Sequence, residues 1–139
     1  MKKPCQGNRS NMDFFDSHCH FDFAVFDQDR ESIWRECDTL GIKQLIIPGV
    51  SAEQWSTAKH IAQAYNTIYY GVGLHPWWIK SADVSKAYLT NLRQQLEANV
   101  DHEQCVALGE CGLDATIETP LRLQQNVLDT HLQLAQDIA

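Results

Sequence analysis

Four apolar stretches, each followed by an amphipathic segment of helical period, constrain the fold of this chain more than any other feature. They are "FFDSH" at 14–18, "IKQLIIPG" at 42–49, "TIYYGVGLHP" at 67–76 and "CVALGECG" at 105–112. Each is short and nearly continuous in apolar residues, as a strand is when helices cover one face and packed side chains fill the other. After the first, Asp27 is placed to cap a helix carrying Ile33, Trp34, Cys37 and Leu40 on one face, with Gly41 at its C′ position. After the second, Ser51 and Gln54 have capping-box spacing and open a helix with Trp55, Ala58, Ile61, Ala62 and Tyr65 inward. A third helix over about 84–98 presents Leu89, Leu92 and Leu96. Thr119 and Pro120 form an N-cap and N1 pair for a fourth, with Leu121, Leu128, Leu132, Ala135 and Ile138 inward. The order is β-α four times over, and the fold class is α/β.

Polar residues at the ends of these strands narrow the choice within that class. His18 and His20 follow the first strand, Pro48-Gly49 the second, His75 the third and Glu110 the fourth. A doubly wound sheet concentrates its chemistry at one switch point, often with a glycine-rich loop, and no G-x-G-x-x-G follows the first strand. A (β/α)8 barrel instead gathers all its strand ends around one mouth. Such a barrel takes about 250 residues, and this chain of 139 supplies the first four βα units. Four units leave the outer strands as open edges, which invites self-association.

Length fits one domain, spanning 13–139, after an N-terminal stretch at 1–12 that reads as a disordered extension. A formal net charge of −7 makes nonspecific attraction to a phosphate backbone weak over most of the surface. A nucleic-acid substrate would require a local basic patch or a bound cation. No apolar run approaches a membrane span, and the first residues lack a signal-peptide core. Five cysteines without a C-x-x-C pair disfavour a disulfide framework or a zinc knot. They are read as reduced thiols of a cytoplasmic protein.

Histidines at i and i+2 of an extended segment point the same way and can hold one cation through their ring nitrogens. The competing reading is a hydrogen-bonding pair at a strand end. Asp16, just before them, is a candidate partner for a ligating imidazole. Cys19, between them, faces the opposite side of an extended segment. Glu110 lies between Gly109 and Gly112, and a carboxylate there is costly to bury unless it is paired or metal-bound. His75, in "GVGLHPWW", can bind substrate or a leaving group, or can serve the loop; Trp77 and Trp78 beside it can cover a pocket or pack. His60, His102 and His131 fall on helices or a loop away from the strand ends, where a structural role is the plain reading.

"FDSHCHFD", "GLHP" and "ALGECGLD", in this order and at βα spacing, resemble the TatD family of metal-dependent hydrolases, within the amidohydrolase-like barrels. The resemblance runs from about residue 14 onward. It implies a (β/α)8 barrel binding one or two divalent cations (zinc, manganese or magnesium), with deoxyribonuclease activity in several members. Position by position, the family's metal ligands fall on His18, His20 and Glu110. DNA is the implied substrate and phosphoester hydrolysis by a metal-activated water the implied reaction, with cyclic amides or other esters open under the same chemistry. The family's remaining ligands, two histidines and an aspartate serving as general base, would lie beyond Ala139. Where the family often has an aromatic pair after "GLD", Ala115 and Thr116 stand here. The reading from a different class is a non-catalytic remnant, or a half-barrel that needs a partner.

Overall fold

The structure, a computed structural model, describes residues 12–79 and 84–139. The expected extension at 1–12 therefore falls almost wholly outside the described residues. The strands are β1 (Phe14–Asp16), β2 (Ile42–Ile47), β3 (Ile68–Val72) and β4 (Cys105–Leu108). The helices are α1 (Arg30–Thr39), α2 (Ala52–Ala64), α3 (Lys86–Val100) and α4 (Leu121–Ile138), with short 3-10 turns at Ala24–Phe26 and Pro76–Trp78. Every strand pairing is parallel, and the sheet order is β1-β2-β3-β4. Right-handed crossovers between successive strands put all the connecting helices on one side. A doubly wound sheet would reverse its order at a switch point. Sequential order with a single helical layer is the wall of a barrel.

The helical layer seals one face of that wall. Leu45 and Ile47 of β2, and Ile68, Tyr70 and Val72 of β3, are buried at alternate positions. They share a core with Trp55, Ala58 and Ile61 of α2 and with Leu92 and Leu96 of α3. Burying each such side chain stabilises the fold by about 1.5–3 kcal/mol. Between them, Gln44 is exposed and Ile46 and Tyr69 are half-buried, so the other face stands open.

Local chemistry sets the element ends. Ser51 Oγ accepts the Gln54 N–H at 3.4 Å, as a cap should. Gln54 Oε1 reaches back to the Val50 N–H, one residue earlier than the usual box. Gly41 closes α1 with φ at +99°. Other expectations are corrected. α1 begins at Arg30 rather than after Asp27, because the Asp27 carboxylate accepts from the Arg30 guanidinium instead of capping backbone. Leu40 is exposed beyond the last turn of α1. α4 begins at Leu121, one residue later than the Thr119-Pro120 pair suggests. Its buried face is Leu123, Gln124, Val127, Thr130, His131 and Leu134; the expected face, Leu121 through Ile138, points largely outward.

Candidate metal centre

The segment that carries the two histidines leaves β1 but stays beside the sheet. Asp16 Oδ1 accepts the His18 N–H at 3.0 Å, turning the chain at the strand end. Its partner is thus backbone rather than an imidazole. The Cys19 N–H then donates to the Ile46 carbonyl at 3.1 Å. The Cys19 side chain packs against the core, and burial, with the Asp16 charge adding to it, pushes its thiol pKa up. Its inward packing leaves His18 and His20 facing the mouth. Arg30 fastens the rest of the loop: Nε donates to the Phe21 carbonyl at 3.1 Å, and Nη2 to the Phe23 carbonyl at 3.2 Å.

Glu110 arrives from the far side of the sheet by a close crossing of backbones. The Gly49 N–H donates to the Gly109 carbonyl at 3.1 Å, and the Glu110 N–H donates to the Gly49 carbonyl. Both bonds pass over the end of β3. A Cβ on Gly49 would stand 2.4 Å from the Gly71 carbonyl oxygen, and one on Gly73 would stand 2.6 Å from Gly109 Cα. Only hydrogen atoms fit in those places, so the glycines set how near Glu110 comes to β1.

The result is a three-residue cluster. His18 Nε2 lies 3.2 Å from Glu110 Oε1, and His20 Nε2 lies 3.5 Å from Glu110 Oε2. One ligand atom from each residue falls within 4.8 Å of the others. His18 is exposed, while His20 and Glu110 are half-buried, so the cluster opens to the mouth. Two imidazole nitrogens and a carboxylate are a donor set that zinc, manganese and related divalent ions accept. The residues fit a divalent cation.

Sequence reasoning missed a fourth residue beside them. The Asp22 side chain is only 4% exposed, with Oδ1 3.9 Å from His20 Nδ1. Its other oxygen accepts from Gln54 Nε2 at 2.9 Å, and the same Nε2 donates to the Pro48 carbonyl at 3.1 Å. The H-x-H-x-D spacing is visible in the sequence, but nothing local shows that Asp22 turns inward.

His75 stands at the same end of the sheet, outside the three-residue cluster. Its Nδ1 accepts the Trp77 N–H at 3.2 Å, and its ring meets Trp77 and Trp78 edge-on. Trp77 Nε1 donates to Asp114 Oδ2 at 2.6 Å. The Thr116 hydroxyl, with Trp77 and the Thr116 N–H after it, holds the Asp114 carboxyl down at about 2. Gln124, fully buried, pins that loop by accepting the Asp114 N–H at 2.7 Å and donating to the carbonyls of Asp114 and Thr119. His131 is structural, as expected, but is buried rather than peripheral. Its Nε2 accepts the Leu74 N–H at 3.1 Å, and Nδ1–H donates to the Val127 carbonyl at 2.8 Å.

Two histidines and a glutamate thus converge at the strand ends of a parallel βα wall, a candidate divalent-metal centre in a half-barrel. A family model described as TatD related DNase matches residues 15–139, and the chain belongs to that family. The chain is 38% identical over 125 residues to the uncharacterized metal-dependent hydrolase YjjV of Escherichia coli, covering 88% of this chain and 46% of that protein. It is 28% identical over 127 residues to the 3'-5' ssDNA/RNA exonuclease TatD of Cronobacter sakazakii, covering 90% of this chain and 46% of that one. The crystal structure of YjjV, a TatD homolog from Escherichia coli K12, superposes with a TM-score of 0.74 at 35% identity over 89% of this chain and 47% of that chain. The chain thus spans about half the length of the relatives it matches, and its fold is the first four βα units of a (β/α)8 barrel.

Proposed function

We propose that the protein is a divalent-metal-dependent hydrolase whose centre is built on His18, His20 and Glu110, and that it cleaves phosphoester bonds in nucleic acid. The observation that carries this reading is the convergence of the three side chains from opposite ends of the described sheet. Support for the substrate class comes from relatives named as ssDNA/RNA exonucleases. His18 and His20 would hold the ion through Nε2, and Glu110, with an oxygen toward each histidine, would contact it or bridge to a second. A divalent cation held there would supply a water of near-neutral pKa and positive charge to offset that on the group being cleaved. His75 and the Trp77–Trp78 pair, stacked 6.3 Å apart, would bind the substrate at the same mouth. Nucleobases stack on such rings irrespective of sequence. The bound cation would also supply the positive charge that an acidic chain otherwise lacks.

No helix among the described residues is long and apolar enough to cross a membrane. Cys19, Cys37, Cys105 and Cys111 are free thiols, which supports a reducing, cytoplasmic setting.

The test is hydrolysis of end-labelled single-stranded DNA by the intact protein, before and after chelation and manganese or zinc restoration. We expect cleavage that chelator abolishes, metal restores and His20→Ala removes. Chelator-resistant cleavage, or none with any divalent ion, would contradict the reading. Cleavage of ester or amide substrates alone would keep the metal chemistry and reject the nucleic-acid assignment.

A further inference from the structure

We infer that Asp22, held by Gln54, is a positioning residue that fixes the tautomer and orientation of His20 for the metal; the inference rests on the centre proposed above. His20 Nδ1 and Asp22 Oδ1 are both buried and neither has any hydrogen-bond partner. They face each other at 3.9 Å. Two unsatisfied buried polar atoms are costly. A proton on Nδ1, donated across that gap, satisfies both at once. The present distance is longer than a hydrogen bond, and catalytic contacts commonly tighten only when a site is loaded.

Placing the proton on Nδ1 dictates what happens at the other nitrogen. His20 Nε2 becomes a bare lone pair facing Glu110 Oε2 at 3.5 Å. Two acceptors turned toward each other repel unless a cation lies between them, so the tautomer that settles Asp22 also prepares the ligand side. The ring is held in plane by stacking on Phe23, with centroids 4.9 Å apart and an angle of 16°. Gln54 supplies the fixed end. One amide hydrogen goes to Asp22 and another to the Pro48 carbonyl, while its oxygen takes the Val50 N–H. Asp22 therefore cannot rotate away without also disturbing the start of α2. Carboxylate partners of this kind orient ligating histidines and raise their basicity, and losing one typically weakens metal binding 10–100-fold, by roughly that factor.

The experiment is calorimetric titration of the metal-free intact protein and its Asp22→Ala and Asp22→Asn variants with Mn2+ alone. Imidazole 15N spectra and melting temperatures of the metal-free forms accompany it. We expect the Nδ1–H tautomer of His20 to be more populated in the metal-free wild type at pH 8 than in Asp22→Ala. Affinity should fall about 10–100-fold in Asp22→Ala. Asp22→Asn should fall less: its single oxygen can still accept from His20, although its NH2 then meets the Gln54 amide. Unchanged affinity in Asp22→Ala, or an unchanged His20 tautomer balance, overturns the relay. An affinity loss that only tracks the loss of melting temperature, with no shift in the His20 tautomer, also overturns it in favour of a structural role. Should Asp22→Ala not fold, Asp22→Asn carries both comparisons. Absence of Mn2+ binding by the wild type would instead sink the metal centre itself.

Discussion

Glu110 is the residue on which the candidate centre turns, because its two carboxylate oxygens face both histidines. Glu110→Gln keeps the shape and removes the charge. We expect it to keep the melting temperature of the metal-free protein within a few degrees while lowering metal content sharply, read by elemental analysis after dialysis. Metal content equal to the wild type would reject Glu110 as a ligand. Arg30 offers a separate test, since it holds the histidine loop through two carbonyls and Asp27. Arg30→Ala removes one part-buried and two exposed bonds to a charged group, of which the exposed Asp27 pair contributes only about 0–1 kcal/mol. It should raise hydrogen exchange in residues 21–27 before it affects the sheet; uniform exchange changes across the chain would contradict that. The convergence of His18, His20 and Glu110 was legible in the sequence because side chains able to bind a cation stood at strand ends, the two histidines with period-two spacing. Asp22 was not, because its burial depends on Gln54, 32 residues away, and a capping glutamine gives no hint that its second hydrogen-bonding end is used elsewhere.

Among the elements, α4 was the one read with the wrong face inward. It carries apolar residues on two sides, so a helical period alone does not choose between them. The buried side includes Gln124 and His131, which hydropathy counts as outward but which here satisfy backbone groups of neighbouring loops. His131 ties α4 to the end of β3 in its neutral form. Burial, only partly opposed by the Val127 carbonyl, lowers its pKa below the ordinary value. Its contribution is therefore fully present above an unfolded pKa of about 6.5 and is lost progressively as pH falls below it. The urea midpoint of the wild type should drop between pH 7 and pH 5 by more than that of His131→Gln; equal pH slopes would refute the assignment. Ser51→Ala is a milder probe of α2, expected to cost about 1 kcal/mol, measured by the same titration. The boundaries of α1 and α4 slipped for a simpler reason: acidic and proline residues near a start can be spent on side-chain bonds or on the preceding loop.

At the level of the whole molecule, the sheet order and the burial of alternate strand residues followed from the apolar runs, since period and length together leave few arrangements. Which residues face the barrel interior did not. Leu45, Ile47, Val72 and Leu74 belong to the core shared with the helices rather than to the interior face. Residues that lack cover lie at the two sides: Phe14 and Phe15 are 51% and 50% exposed, and Val106 is 49% exposed. Beside β4, an apolar groove of about 400 Å³ runs between Val106, Leu108, Ala135 and Ile138. Uncovered strand edges flanked by such side chains pair readily with further chain. A polypeptide of these 139 residues is expected to self-associate in sedimentation experiments, and a Phe15→Lys, Val106→Lys pair to reduce that association. A monodisperse monomer at high concentration would show that these surfaces are not adhesive.

The backbone crossing at Gly49 and Gly73 has a consequence for anyone scoring substitutions at every position. A methyl group at either place would overlap main-chain atoms, so alanine should be rejected there nearly as firmly as tryptophan. A library screened for activity would rank these two glycines beside His20 and Glu110, although neither offers a single reactive atom. Their signature would be a flat profile of intolerance, insensitive to the chemistry of the replacement, where the proposed metal-binding positions would tolerate a few donors and refuse the rest. Such a scan would separate the residues that perform chemistry from those that hold strands close enough for it.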